Sequence, residues 1–217
     1  MADYDAPFEY EGYYHIYNRG NNKENLFLNE HNYAYFMSRW KKYILPFSSV
    51  LSYCLMPNHF HFLIKIKTEE EVKALLKSCS APTKPSRISR SALEILDINK
   101  LLEDQFKNLF SGYTLAINKQ ENRTGSLFQK RFRRIRVDSE KYLLILIHYI
   151  HRNPIHHSFV NKYGKWRYSS YNDLLSYDNS FVDPESVFDC FGDKELFLKF
   201  HNDSKNYNEI EELIINE

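Results

Sequence analysis

Phe47-Ser48-Ser49-Val50-Leu51-Ser52-Tyr53-Cys54-Leu55 and His59-Phe60-His61-Phe62-Leu63-Ile64-Lys65-Ile66-Lys67 are two runs of β-forming residues separated only by Met56-Pro57-Asn58. Proline and asparagine suit a tight turn, so the whole stretch predicts an antiparallel hairpin. Successive side chains of a strand point to opposite faces, which gives Phe60, Phe62, Ile64 and Ile66 one apolar face. His59, His61, Leu63 and Lys65 take the other. At a rise of ~3.3 Å per residue the two histidine Cα atoms stand ~6.6 Å apart, so both rings can converge on one cation. Paired imidazoles with a carbonyl-type or carboxylate oxygen suit Mg²⁺, Mn²⁺ or another first-row divalent ion. A His-x-His pair by itself also fits two histidines that merely face solvent or a helix.

On the N-terminal side, Tyr13 to Asn18 predicts a short strand ended by the loop Arg19-Gly20-Asn21-Asn22. A helix is expected from Glu30 to Tyr43, with Tyr33, Phe36, Met37 and Trp40 forming an apolar stripe and Pro46 stopping it. On the C-terminal side the pattern predicts a helix over Glu69 to Ser80, a surface loop over Ala81 to Ser91 and a long helix over Ile98 to Lys119. The turn Asn122-Arg123-Thr124-Gly125 leads to a basic fourth strand, Leu127 to Val137. Asp138 or Ser139 can cap a helix running through Lys141 to about Arg152, which Asn153-Pro154 should end. This order, β-α-β-β-α-β-α, predicts an α+β, ferredoxin-like split βαβ antiparallel sheet, with helices on one face and a final helix laid against it. The expected division is a main domain over 1–165 and an acidic, mainly helical extension over 166–217. The extension could shield the basic surface or pack as a helical cap; the helical spacing of Leu196, Phe197 and Phe200 favours the cap.

The 217 residues, 43% hydrophobic and 26% charged, exclude wholesale disorder and several large domains. The longest purely aliphatic run, Leu143 to Ile147, is far short of the ~20 residues that cross a bilayer. No membrane span or export signal is read, and a cytoplasmic address is expected. Cys54, Cys79 and Cys190 are odd in number and lack CxxC spacing, against a disulfide framework or thiolate zinc site. A net charge of +1 hides two opposed blocks: residues 81–137 hold 12 Lys/Arg against 5 Asp/Glu, and residues 173–217 hold 3 against 12. A basic working surface beside an acidic segment is the reading, and membranes are not expected partners.

Tyr149 and Asn153 are four residues apart on the last core helix and share one face. A phenol can attack a phosphodiester when a metal withdraws charge from the phosphate, and an amide oxygen can be a third metal ligand. Tyr142 is a rival because it projects from almost the same face, and each tyrosine also fits a plain packing role. His148, His151, His156 and His157 form another cluster that could hold zinc, although no cysteine or carboxylate completes the set. Gln129-Lys130-Arg131-Phe132-Arg133-Arg134-Ile135-Arg136 fits either a solvated edge strand or, preferably, a phosphate-binding track with a stacking aromatic.

Taken in order, Tyr14-His15-Ile16-Tyr17-Asn18-Arg19-Gly20-Asn21, Met56-Pro57-Asn58-His59-Phe60-His61, Leu127-Phe128-Gln129-Lys130-Arg131-Phe132, Tyr149-Ile150-His151-Arg152-Asn153-Pro154 and Trp166-Arg167-Tyr168-Ser169-Ser170-Tyr171 resemble the single-tyrosine HUH transposases, in particular the REP-associated tyrosine transposases. HUH denotes His, a hydrophobic residue, His. The resemblance implies that His59 and His61 bind the divalent metal, Mg²⁺ or Mn²⁺, and that Tyr149 is the nucleophile. Asn153 falls at a third, more variable metal-ligand position. Arg19, Lys130, Arg131, Arg133, Arg134 and Arg136 are the expected DNA-binding residues. The implied activity is cleavage and strand transfer on single-stranded or hairpin DNA through a covalent 5′-phosphotyrosine, by a monomer or homodimer. Two alternatives stand beside it: a DNA-binding protein of the same fold that no longer cuts, and a metal phosphodiesterase that uses water.

Overall fold

The computed structural model describes residues 5–78, 96–177 and 181–203, so Cys79, the expected Ala81 to Ser91 loop and the acidic stretch beyond 203 lie outside the described residues. Strands β1 (Tyr13–Arg19), β2 (Ser48–Met56), β3 (His59–Ile66) and β4 (Arg133–Arg136) form a sheet of order β2-β3-β1-β4. All three pairings are antiparallel. This is the strand order of the ferredoxin-like arrangement: the expected hairpin lies on one side, and β1 is inserted between β3 and the basic strand. Pro57 and Asn58 make the turn. The loop after β1 braces it, with Gly20 N–H donating to Asn58 O (2.8 Å) and Leu26 N–H to Pro57 O (2.7 Å). A Cβ at Gly20 would fall 2.1 Å from Glu24 O, so only glycine allows this approach.

Helix α1 (Glu30–Tyr43) starts where the Asn29 side chain accepts the Asn32 N–H, and α2 (Glu69–Lys77) opens with a Thr68/Glu71 capping box. Helix α3 (Ile98–Gln120) is capped by Asp97, and α4 (Glu140–His156) by Ser139, whose side chain accepts from Tyr142 N–H. Helices α1 and α3 cover the face of β3 that carries Phe60 and Phe62. Trp40 stacks on Phe62 at 3.5 Å, and Phe36 and Phe110 meet Phe60 at 5.1 and 5.9 Å. Burying each such side chain is worth about 1.5–3 kcal/mol.

The final helix, α4, lies over the imidazole face of the sheet, opposite α1 and α3, which is why His59, His61 and Leu63 are buried. Two boundaries differ from the sequence reading. Helix α4 runs through Pro154 to His156. The proline sits in the final turn, where it removes a single backbone bond, and the last carbonyls are taken up by His157, Phe159 and Val160 N–H groups. Finally, the fourth strand is only four residues long, because Leu127 to Phe132 follows a looser path tied to β1 by Gln129 N–H to Arg19 O (2.9 Å).

The segment from 166 packs on the same core. Trp166 Nε1–H donates to Leu55 O (3.0 Å), Leu55 N–H to Tyr168 O (2.8 Å), and Tyr53 N–H to Ser170 Oγ (2.8 Å), so the chain lines the free edge of β2. Helices α5 (Tyr171–Ser176), α6 (Pro184–Phe191) and α7 (Lys194–Asn202) follow. Phe197 is fully buried, Phe200 is half-buried, and Leu196 faces solvent, so the expected cap forms without Leu196. With α6 and α7 behind it and the sheet in front, α4 is buried on most sides.

Candidate metal and nucleophile site

Strand β3 and helix α4 run in opposite directions, and their repeats match. Two strand residues advance ~6.6 Å and four helical residues ~6 Å. His59 therefore meets Asn153, and His61 meets Tyr149. The His59 Nε2 atom lies 3.0 Å from Asn153 Oδ1. The Tyr149 ring stands edge-on to His61, with centroids 5.5 Å apart and planes at 80°. The four candidate residues chosen for chemistry are thus brought together where β3 meets α4, with the Tyr149 ring against the imidazoles.

His59 reveals the donor set. Its Nδ1 lies 2.7 Å from Asn58 Oδ1 while its Nε2 faces Asn153 Oδ1. Burial lowers its pKa to about 4, with the charges of His157 and Arg19 adding to the effect, so the ring is neutral at pH 7 and has one N–H. If Nδ1–H donates to Asn58, the Nε2 lone pair faces an oxygen lone pair. Either the Asn153 amide is turned, which its unpartnered Nδ2 permits, or a cation belongs between the two atoms. A 3.0 Å separation is what two adjacent ligands at ~2.1 Å from an octahedral ion require. His61 is likewise held neutral by burial, well below the usual imidazole pKa. Neutral imidazoles and an amide oxygen therefore fit a divalent cation.

Two participants were not assigned to this site in the sequence reading. His15 on β1 is buried, with Nε2 3.0 Å from His61 Nδ1, and its ring meets Tyr149 edge-on at 6.3 Å. Its signal was the alternation of His15, Tyr17 and Arg19 against Tyr14 and Ile16, readable only once β1 pairs with β3. His157 follows α4 and reaches the ring of His59 at 5.1 Å. The possible zinc cluster is divided between two places. His151 contacts His201 Nε2 (2.9 Å) and Ser170 Oγ (2.8 Å), and His148 contacts Tyr163 Oη (2.7 Å). His157 instead faces His59. Among the described residues no group of three or more His, Cys, Asp or Glu is arranged to hold a metal.

The basic residues separate by face. Arg19 pairs with His59 and Tyr17 pairs with Arg133, so Arg19 and Arg133 belong to the imidazole side. Arg134 and Arg136 pair with Ile16 and Tyr14 on the opposite side. Arg134 is only 8% exposed, lies over Phe8 at 4.9 Å and donates to Glu103 Oε1 (2.8 Å). Its guanidinium is engaged within the fold, at the inner wall of the cleft that Lys130 and Arg131 border. Arg136 bonds to Glu9 and Asp138. Lys130 is exposed, as is Arg131, which pairs with Asp5 at 3.1 Å. Those two residues, with Lys107, Phe128 and Phe132, border a cleft of about 580 Å³ beside α3.

No protein-family model matches the chain. A Haemophilus influenzae protein named as a REP-associated tyrosine transposase is 25% identical over 127 residues, 58% of this chain and 60% of that relative. The match thus spans about three fifths of the relative's length. A solved structure, described as the REP-associated tyrosine transposase bound to a REP hairpin, aligns with a TM-score of 0.51 at 13% identity, covering 84% of this chain and 98% of the other. That similarity establishes the α+β fold. The resemblance of this chain to the REP-associated tyrosine transposases holds at both levels, in sequence to a curated relative and in fold to a hairpin-bound one.

Proposed function

We propose that this chain is a metal-dependent DNA nuclease and strand transferase of transposase type, acting on single-stranded or hairpin DNA. The observation that carries the reading is the joint placement of His59, His61, Asn153 and Tyr149 where β3 meets α4. In the reaction the Tyr149 Oη would attack a backbone phosphorus. A phosphorus–tyrosyl bond forms, the bond to the 3′ oxygen breaks, and that oxygen leaves as a 3′-hydroxyl after taking a proton. A 3′-hydroxyl of a second strand reverses these bonds, so joining needs no nucleotide cofactor. His59, His61 and Asn153 would hold Mg²⁺ or Mn²⁺, which when bound supplies Lewis acidity at a nonbridging phosphate oxygen. Arg19 and Arg133 supply positive charge on the same side, and Lys130 and Arg131 supply it at the separate cleft beside α3; such contacts position phosphates and do not read sequence. The relative bound to a hairpin supports a hairpin substrate. None of the described helices is long and apolar enough to cross a membrane.

Incubation with labelled single-stranded hairpin DNA and Mn²⁺, followed by a denaturing protein gel, tests the proposal. A covalent adduct lost in Tyr149→Phe is expected. Cleavage without adduct would identify the water-using phosphodiesterase, and salt-sensitive binding without cleavage the silent binder.

A further inference from the structure

The two imidazoles assigned to the metal are oriented by different groups. His59 has the Asn58 side-chain carbonyl at its Nδ1, at 2.7 Å. His61 has at its Nδ1 a second imidazole, His15, through Nε2 at 3.0 Å, and both rings are buried. The contact is geometrically prepared: the His15 and His61 planes lie within 24° of each other. Tyr17 stacks against His15 at 4.7 Å and His61 at 5.7 Å, and Tyr149 stands edge-on to both. Near-coplanar rings point an N–H of one at the in-plane lone pair of the other.

The hydrogen bond between two neutral imidazoles can run either way, and each direction fixes the tautomer of both rings. If His15 Nε2–H donates to His61 Nδ1, the remaining proton of His61 is on Nε2, and that atom cannot bind a cation. If His61 Nδ1–H donates to His15 Nε2, the Nε2 lone pair of His61 is available. We propose that His15 is a positioning residue which accepts the His61 Nδ1–H and so holds His61 in its metal-binding tautomer. The inference rests on the reading of His59 and His61 as metal ligands. It makes metal uptake and the direction of this hydrogen bond linked properties, and it gives the β1 histidine a part in catalysis without contact with DNA. An outer partner of this kind typically changes metal affinity by about 10–100-fold.

The test uses the full chain. Mn²⁺ affinity is measured by electron paramagnetic resonance for the wild type, His15→Gln and His15→Phe. Glutamine can bring an amide oxygen to the position of Nε2, whereas phenylalanine keeps a ring without an acceptor. Affinity should fall by about 10–100-fold in His15→Phe and stay within a few-fold of wild type in His15→Gln. Long-range ¹H–¹⁵N spectra of the Mg²⁺-loaded wild type should show His61 protonated at Nδ1, a readout independent of whether the variants fold. Unchanged Mn²⁺ affinity in a folded His15→Phe overturns the role of His15 alone, whereas an Nε2–H tautomer of His61 in the loaded wild type overturns both that role and the reading of His61 as a ligand. A wild type that takes up no Mn²⁺ overturns the metal reading and this inference together.

Discussion

The His59 Nε2 atom and the Asn153 Oδ1 atom, one from a strand and one from a helix 94 residues later, face each other at 3.0 Å inside the protein. Both are lone-pair atoms when Asn58 accepts the Nδ1 proton of His59. Replacing Asn153 by leucine should therefore weaken Mn²⁺ binding by at least about 10-fold, whereas Asn153→Asp, which keeps an oxygen there, should retain it. Titration calorimetry checks the pair of variants. Equal affinity in Asn153→Leu and wild type would remove the residue from the ligand set.

Tyr149→Phe deletes one oxygen from a ring whose position against His15 and His61 is set by packing. Hairpin DNA binding and Mn²⁺ affinity should stay within a few-fold of wild type while covalent adduct disappears. Adduct formation that moves to Tyr142→Phe sensitivity would reassign the nucleophile to the earlier tyrosine of the same helix.

Arg133 and Arg134 are neighbours with opposite expected phenotypes. Arg133→Ala, on the imidazole side, should lower the salt dependence of DNA binding by about one ion. Arg134→Ala removes the buried contact with Glu103 and the packing on Phe8, and should cost about 1–3 kcal/mol of stability with little change in salt slope. Thermal unfolding and binding at several salt concentrations separate the two, and a reversed pattern would move the DNA track to the other face.

Acid should destabilise the fold through the histidines between α4 and α7. Burial lowers the His148 pKa to about 4 and pushes His201 well below the usual range, with Arg152 adding repulsion at His148 and His151 at His201. His148 also meets Tyr163 Oη, and His201 uses Phe197 O as the acceptor for its Nδ1. A depressed histidine pKa means that the unfolded chain binds more protons below its own pKa of ~6.5. Stability is thus full above that value and declines as pH falls towards about 4, by up to ~1.4 kcal/mol per pH unit for each imidazole. Calorimetry at pH 7.5 and 5.0 should show a lower melting temperature at pH 5.0; a rise would contradict the neutral assignment.

Phe197 is fully buried and meets Tyr171, Phe188, Phe191 and His201. Phe197→Ala should cost about 3–5 kcal/mol, a typical price for emptying an aromatic site. Proteolysis under native conditions should then cut the C-terminal segment faster than wild type. Unchanged cleavage would show that α7 does not secure the back of α4.

Local chemistry made the architecture readable. The alternation of Phe60, Phe62, Ile64 and Ile66, the stripe Tyr33, Phe36 and Trp40, and the cap at Ser139 act over a few residues, and the corresponding elements start where they are expected to within a residue. Proline was over-read at Pro154 because the cost of a missing N–H depends on how many turns follow, and here almost none do. At Arg134 a charge pattern does not reveal that Glu103 and Phe8 will hold one guanidinium of the series.

The sequence by itself determined which residues could bind a cation or attack a phosphate, because periodicity puts His59 and His61 on one strand face and Tyr149 and Asn153 on one helix face. Only the tertiary structure decided that these faces meet, that β1 brings His15 to His61, and that Arg133 and Arg134 part company. The physical reason is range: side-chain direction follows from the backbone over two to four residues, whereas contact between β1, β3 and α4 depends on strand order and on which sheet face a helix covers.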